Sequence, residues 1–414
     1  MILVYRLLIN LAVIFSPLII IIRLIKKKEH FTRFKEKFAF FSKKRKRGNL
    51  AWFHGASVGE LMSIIPLIEK LEKNKDIKQI LVTTSTLSSA KIFNKFKFKK
   101  TVHQFFPVDT NYLSKKFLNY WRPNLAIFID SEIWPNMLTN LKEKSINHVL
   151  LNARITKKSF KRWFSLGSFA ENLFKGFDYT YPQNDETAKY LKYLGVKKIK
   201  KIGNLKFSES TSDLNKSTNL DLKKFLNNKR YWCAASTHEG EEYIAANVHL
   251  NLQKKFRNLV TIIIPRNIQR TQKIINIFSK LGLRTHVHSL DKKILKNTQI
   301  YIVDTYGETK TFFKTCKVIF LGKSLTVQGG QNPLEAARYN CNIVHGPKVS
   351  NFYEIYKLLG KNKISFKANN QSQLIKKINE LLKKDIRSKH VGNKIKLIGE
   401  KILNDTLIEL KKFI

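Results

Sequence analysis

From residue 50 onward, short apolar runs alternate with amphipathic stretches. In the first half, residues 50–53, 80–83, 125–129 and 148–151 read as strands, and 61–73 and 171–175 as helices. Residues 208–222, SESTSDLNKSTNLDL, are polar, rich in Ser and Thr, and lack a sustained period, which predicts an interdomain linker. The alternation then restarts, with strands expected at 231–234, 259–264, 299–303, 318–321 and 342–344. Two βαβ series joined by a linker predict an α/β protein of two doubly wound, Rossmann-like domains with a cleft between them. Ligands then belong beyond the carboxyl ends of the strands. The tail from 371 to 414 reads as helices with charged faces.

The first 25 residues are strongly apolar and run into Lys26, Lys27 and Lys28. No small-residue cleavage site follows, and Arg6, Asn10, Pro17 and Arg23 interrupt the run. The pattern predicts a membrane-anchoring helix over 1–28, either a single span or a helix deep in the interface. The basic flank would keep the rest of the chain on the cytoplasmic side. Residues 29–48 mix Phe31, Phe34, Phe38, Phe40 and Phe41 with many cations. Such a mixture suits an anionic membrane surface or single-stranded nucleic acid, and its place after the anchor favours the membrane. The expected domains are therefore the anchor, 29–210 and 211–414.

Composition narrows the class. Of 414 residues, 43% are hydrophobic, which excludes global disorder. The formal charge of +47 suits partners that carry phosphate, although lysines are spread along the whole chain and part of the excess belongs to solvated helix faces. Cys233, Cys316 and Cys341 are far apart and make no CxxC pattern, which fits a reducing compartment.

The richest stretch is GKSLTVQGGQNPLEAA, from Gly322 to Ala337. Gly329 and Gly330 permit a tight turn, Asn332 is a good N-cap, Pro333 suits the first helical position, and Glu335 stands three residues after the cap. Strand, Gly-rich turn and helix start together make a cradle for an anion or a sugar-nucleotide; an ordinary capped helix is the plain alternative. HGASVGE (54–60) offers Glu60 as a general base, or as one half of an S-x-x-E capping box with Ser57. DSEIWPN (130–136) puts two carboxylates, Asp130 and Glu132, at a strand end, and GNLKF (203–207) brings Lys206. In the second half, ASTHEGEE (235–242) follows a strand and opens a helix that Ser236 or Thr237 could cap, with backbone N–H groups free for a phosphate or a carboxylate. Arg266 ends an apolar strand as a carboxylate or phosphate fork, and DTYGE (304–308) and HGPKVSNF (345–352) are further strand-end loops. No P-loop, GxGxxG or HExxH pattern occurs, and neither metal nor cofactor is signalled.

Taken in order, HGASVGE, FIDSEIWPN, LNARI, GNLKF, STHEGEE, PRN, DTYGE and GGQNPLEAA resemble the motifs of the Kdo transferases. These enzymes move 3-deoxy-D-manno-octulosonic acid (Kdo) from CMP-Kdo to a lipid A precursor, lipid IVA, at the inner membrane. The resemblance implies the glycosyltransferase B fold, with acceptor on the N-terminal domain and CMP-sugar on the C-terminal one. It implies Glu60 as the catalytic base, and Glu132 and Lys206 as transition-state stabilisers, with Asp130 the alternative to Glu132. Arg266, Asn267, Tyr306, Gly307, Glu308, Asn332, Pro333, Leu334 and Glu335 fall on donor-binding positions. The chain departs from the family with Gly55 where Ala is usual, Asn267 and Gln331 where His is usual, and a looser loop at 83–91. The implied partners are the donor, the lipid acceptor and the membrane surface, with no nucleic acid. A transferase for another nucleotide-sugar and a membrane-tethered nucleic-acid binder are the rival readings; the second leaves HGASVGE and GGQNPLE unexplained.

Overall fold

The computed structural model describes residues 1–208, 220–290, 293–384 and 391–413. Its strands form two parallel sheets. The first holds β1 (Asn49–His54), β2 (Ile77–Thr84), β3 (Thr101–Phe105), β4 (Leu125–Ile129), β5 (Asn147–Ala153) and β6 (Tyr179–Pro182), in the order β3-β2-β1-β4-β5-β6. The second holds β7 (Arg230–Thr237), β8 (Leu259–Pro265), β9 (Thr285–Val287), β10 (Ile300–Ile302), β11 (Val318–Leu321), β12 (Asn342–His345) and β13 (Ser365–Lys367), in the order β13-β12-β11-β7-β8-β10-β9. Among the described residues a helix lies between each pair of consecutive strands within a sheet except β9 and β10, in keeping with the crossovers that parallel pairing needs. The apolar run of β4 is buried at every residue, which is why it reads without alternation. Trp52, Phe117, Trp121 and Phe128 fill the first core, and Trp232, Phe278 and Phe320 the second.

Each sheet has a central place where neighbouring strands lead the chain off in opposite directions. In the first it lies between β1 and β4, and in the second between β7 and β11. Neighbouring strand-end loops there diverge to opposite faces and leave a crevice.

The chain divides into two compact units, Met1–Ser210 with Ile398–Ile414, and Thr211–Leu397. The first unit thus takes residues 398–414, which the sequence had suggested for the second domain. The physical reason is the helix Val391–Leu410: Glu409 near its end pairs with Lys200 at 2.7 Å and accepts from the Tyr181 hydroxyl at 3.3 Å. The central part of the expected linker, 209–219, lies outside the described residues, while its ends belong to the short helices Leu205–Ser208 and Leu220–Leu226.

The N-terminal segment differs from a straight anchor. It folds as α1 (Ile2–Ile14) and α2 (Ser16–Ile25), bent by 51° where Pro17 enters the first turn of α2. No single described helix is long and apolar enough to cross a membrane. Neither helix buries a residue fully, and Leu3, Leu7, Leu11, Ile14, Leu18 and Ile25 are exposed. The basic, aromatic segment that follows is also only partly a surface. Phe31 and Phe40 are exposed, but Phe41 stacks on Tyr120 with ring centroids 3.8 Å apart. Glu36, buried, accepts from the Phe105 N–H at 2.7 Å and is held by the Arg33 fork, so the segment straps the open edge of β3.

Candidate active site

Glu60 starts from the turn after β1. Ser57 is the N-cap of α3 (Val58–Leu71); the Ser57 hydroxyl accepts from the Glu60 N–H at 3.3 Å, and the Glu60 carboxylate accepts from the Ser57 N–H at 3.2 Å. The capping box read from the sequence is present, and it leaves one carboxylate oxygen of Glu60 uncommitted to the cap. Burial, then the nearby charges of Glu132 and Asp130, push this carboxyl up to about 7. A group so poised changes protonation near neutral pH.

Those two acids come from the loop after β4, across the reversal point from β1. The Glu132 carboxylate accepts from the Trp134 indole N–H at 2.8 Å and lies 3.1 Å from His54 Nε2. Despite its burial these bonds hold it below the usual carboxylate range. His54 is the last residue of β1; its other ring nitrogen sits 3.0 Å from the Thr83 hydroxyl, and the ring stacks on Phe106. Asp130 is 3.6 Å from Lys206 Nζ and accepts from the Asn152 side-chain amide. Asp130 and Asn152 both have left-handed backbones, φ 56° and 55°, at the ends of neighbouring strands. Asn152 sits at a register shift in β5, which turns its side chain to Asp130 and to the Leu205 N–H at 3.0 Å. The 203–208 turn is gripped from the other side as well, because a Cβ at Gly399 would come within 2.3 Å of the Phe207 carbonyl oxygen.

The structure thus brings Glu60, Glu132, Asp130 and Lys206 into one cluster. It distributes the question of Asp130 or Glu132 over both: Glu132 is tied to His54 and Trp134, Asp130 to Lys206 and Asn152. His54, Trp134 and Asn152 stood inside the quoted motifs without a role. Their residue types carried a signal, but their convergence depends on bulge and strand order.

In the second unit, β7, β8, β10, β11 and β12 end at one edge of the sheet, and the expected donor loops follow them. Arg266 and Asn267 are exposed after β8, with the Asn267 side chain accepting from the Gln269 N–H at 3.0 Å. Tyr306 is exposed beside Gly307, whose φ of 90° makes the turn, and Glu308 precedes the helix Thr309–Thr315. The helix Leu334–Arg338 starts one residue later than expected: Pro333 is its N-cap position, and Asn332 accepts from the Leu334 N–H at 3.1 Å. Glu335 lies in its first turn.

STHEGEE behaves differently from the expected phosphate cap. Gly240 is the N-cap of the helix Glu241–Leu252, so neither Ser236 nor Thr237 caps it. Glu241, with no exposed surface, accepts instead from the N–H groups of His238, Lys323, Ser324 and Leu325, at 2.9, 2.7, 3.0 and 3.1 Å. Glu242 is equally buried and takes both arms of Arg270 at 2.9 and 3.1 Å. The motif is a fastener for the loop after β11. Close approach completes it: a Cβ on Gly322 would lie 2.5 Å from the Ser236 carbonyl oxygen and 2.8 Å from Thr237 Cα. Gly322→Ala is therefore expected to cost about 2 kcal/mol, read as a lower denaturation midpoint, since backbone on both sides must shift. A midpoint equal to wild type would show that this packing is looser than described.

Among the described residues no group of His, Cys, Asp and Glu is arranged to hold a metal ion.

A family model described as 3-deoxy-D-manno-octulosonic-acid transferase (kdotransferase) matches residues 32–209. A 3-deoxy-D-manno-octulosonic acid transferase from Rickettsia bellii is 33% identical over 401 residues, covering 95% of each chain. A probable mitochondrial transferase of the same description from Arabidopsis thaliana is 33% identical, over 86% of this chain and 82% of its own. The fold is also similar to that of a glycosyltransferase from Rickettsia africae, at 12% identity and a TM-score of 0.60, covering 89% of this chain and 99% of that one.

Proposed function

The chain belongs to the 3-deoxy-D-manno-octulosonic acid transferase family, and from that premise we propose that Glu60 is the base of its transfer reaction. The protein is a glycosyltransferase that transfers Kdo in lipopolysaccharide biosynthesis. The donor is CMP-Kdo and the acceptor a lipid A precursor. The Glu60 carboxylate removes the proton from a glucosamine hydroxyl of the acceptor. That oxygen bonds to the anomeric carbon of Kdo from the face opposite CMP, the bond from that carbon to the phosphate oxygen breaks, and CMP leaves with the electron pair. The configuration inverts. Positive charge builds on the Kdo ring in the transition state, and Glu132 and Asp130 stabilise it. Lys206, already beside Asp130, pairs with the Kdo carboxylate. Arg266, Asn267, the 306–308 turn and 332–335 hold the nucleotide; their position at the carboxyl edge of a parallel sheet supports this assignment. The exposed apolar side chains of α1 and α2, with Lys26–Lys28 behind them, favour seating in the interface of the inner membrane, the catalytic units lying on its cytoplasmic side.

What carries this reading is the geometry: Glu60 keeps one carboxylate oxygen free of its cap, in one cluster with Glu132, Asp130 and Lys206, and burial beside those two acids pushes its carboxyl up. A base must be ionised, so the transfer rate should rise with pH through about 7 and then level. Glu132→Gln removes a negative charge that raised Glu60, and should move that limb to lower pH. A rate independent of pH between 5.5 and 8.5 would contradict the assignment.

A further inference from the structure

One face of α1 is not free. Ile2, Tyr5, Arg6, Ile9 and Val13 are half-buried, at the spacing of a single helical stripe, while the opposite face is exposed. Two polar residues of that stripe reach into the first unit. The Tyr5 hydroxyl donates to Asp109 at 2.9 Å, and the Arg6 guanidinium donates to Asn136 at 2.9 Å and to Asn111 at 3.2 Å. Asp109 is itself buried, and its carboxylate accepts from the N–H groups of Asn136 and Met137 at 3.0 and 2.8 Å. These are the first turn of the helix Pro135–Glu143, whose N-cap residue, Trp134, supplies no side-chain cap. Asp109 caps it from a distance, and the Asn136 side chain returns a bond to the Asp109 carbonyl oxygen at 2.6 Å. Asn136 is thus held by its N–H, its amide nitrogen and its amide oxygen, the last by Arg6. Two residues before it, Trp134 holds Glu132.

We infer that α1 is a positioning element of the active site: Tyr5 and Arg6 fix the Asp109–Asn136 clamp, and through Trp134 set where the Glu132 carboxylate stands. The inference rests on the reading of Glu132 as a group that acts on the reaction. A helix that exposes its apolar face while its polar stripe holds the clamp would position the acid as well as tether the chain. Arg6, which interrupts the hydrophobic run, sits on that stripe.

Tyr5→Phe combined with Arg6→Leu separates the two roles, since both changes keep or increase the apolarity of α1. In the full-length protein with anionic phospholipid vesicles, flotation should show binding equal to wild type. Kdo transfer should lose about five- to tenfold in kcat with KM for the acceptor little changed, and the indole N–H resonance of Trp134, assigned with Trp134→Phe, should shift. Arg6→Gln, which keeps an N–H toward Asn136, should recover part of kcat. A double variant with wild-type kcat and an unmoved Trp134 resonance would reduce α1 to a tether. A moved resonance in a protein whose Glu60→Gln variant is fully active would sustain the coupling and remove the chemistry assigned to the cluster.

Discussion

Glu60→Gln is expected to lower Kdo transfer about a hundredfold or more while making the folded protein more stable above neutral pH. Glutamine cannot take a proton from the acceptor hydroxyl, yet it preserves the geometry around it, because either Glu or Gln closes the capping box with Ser57. The stability half follows from the same carboxyl. Its value rises from an ordinary 4.5 to about 7, so between those limits the folded chain binds a proton that the unfolded chain has released. Folding is unpenalised below 4.5 and loses stability as pH rises through 7. The loss at pH 8 is on the order of 2 kcal/mol, allowing for partial solvation of the site. The variant should therefore melt several degrees higher than wild type at pH 8, and the two should converge near pH 4.5. Unimpaired transfer would return Glu60 to its helix cap, and equal melting at both pH values would remove the buried-acid argument.

The second large effect is expected at Glu241. Its carboxylate ends four N–H groups, three of them from the loop that follows β11. Glu241→Gln places an N–H₂ among donors, leaving at least one N–H without an acceptor inside the protein, at a cost of about 3 kcal/mol. The loop it fastens leads to Asn332–Glu335, so the KM for CMP-Kdo should rise at least tenfold while kcat at saturation changes less. Denaturation midpoint and donor titration read the two effects separately. A normal donor KM in a destabilised variant would leave Glu241 with a purely structural role.

Much of the fold was legible because the inner strands announce themselves. Residues 125–129 and 318–321 were found to the residue, each buried at every position. The four strands that escaped, β3, β6, β9 and β13, are the outermost of their sheets. THV and SFK are too short to stand out, and TVHQF and YTYP mix polar with apolar residues instead of forming the continuous apolar runs of the inner strands. The acid cluster was legible as motifs but not as a geometry. Nothing in one dimension shows that Asp130 and Asn152 adopt left-handed backbones on adjacent strands, or that His54 meets Glu132. Residues 235–242 looked like a ligand loop because buried fasteners and anion cradles use the same residue types, and only burial separates them.

The return of residues 398–414 to the first unit gives the protein a schedule as well as a shape. Tyr181 and Lys200 wait for Glu409, made more than two hundred residues later, and the Lys206 turn waits for Gly399. While the ribosome is still translating the second sheet, the β6 border of the first has no cover from this helix and Lys206 has no finished seat. The first unit begins to fold first and is completed last, so a stalled or prematurely stopped chain should be a poor enzyme and a ready substrate for chaperones and proteases.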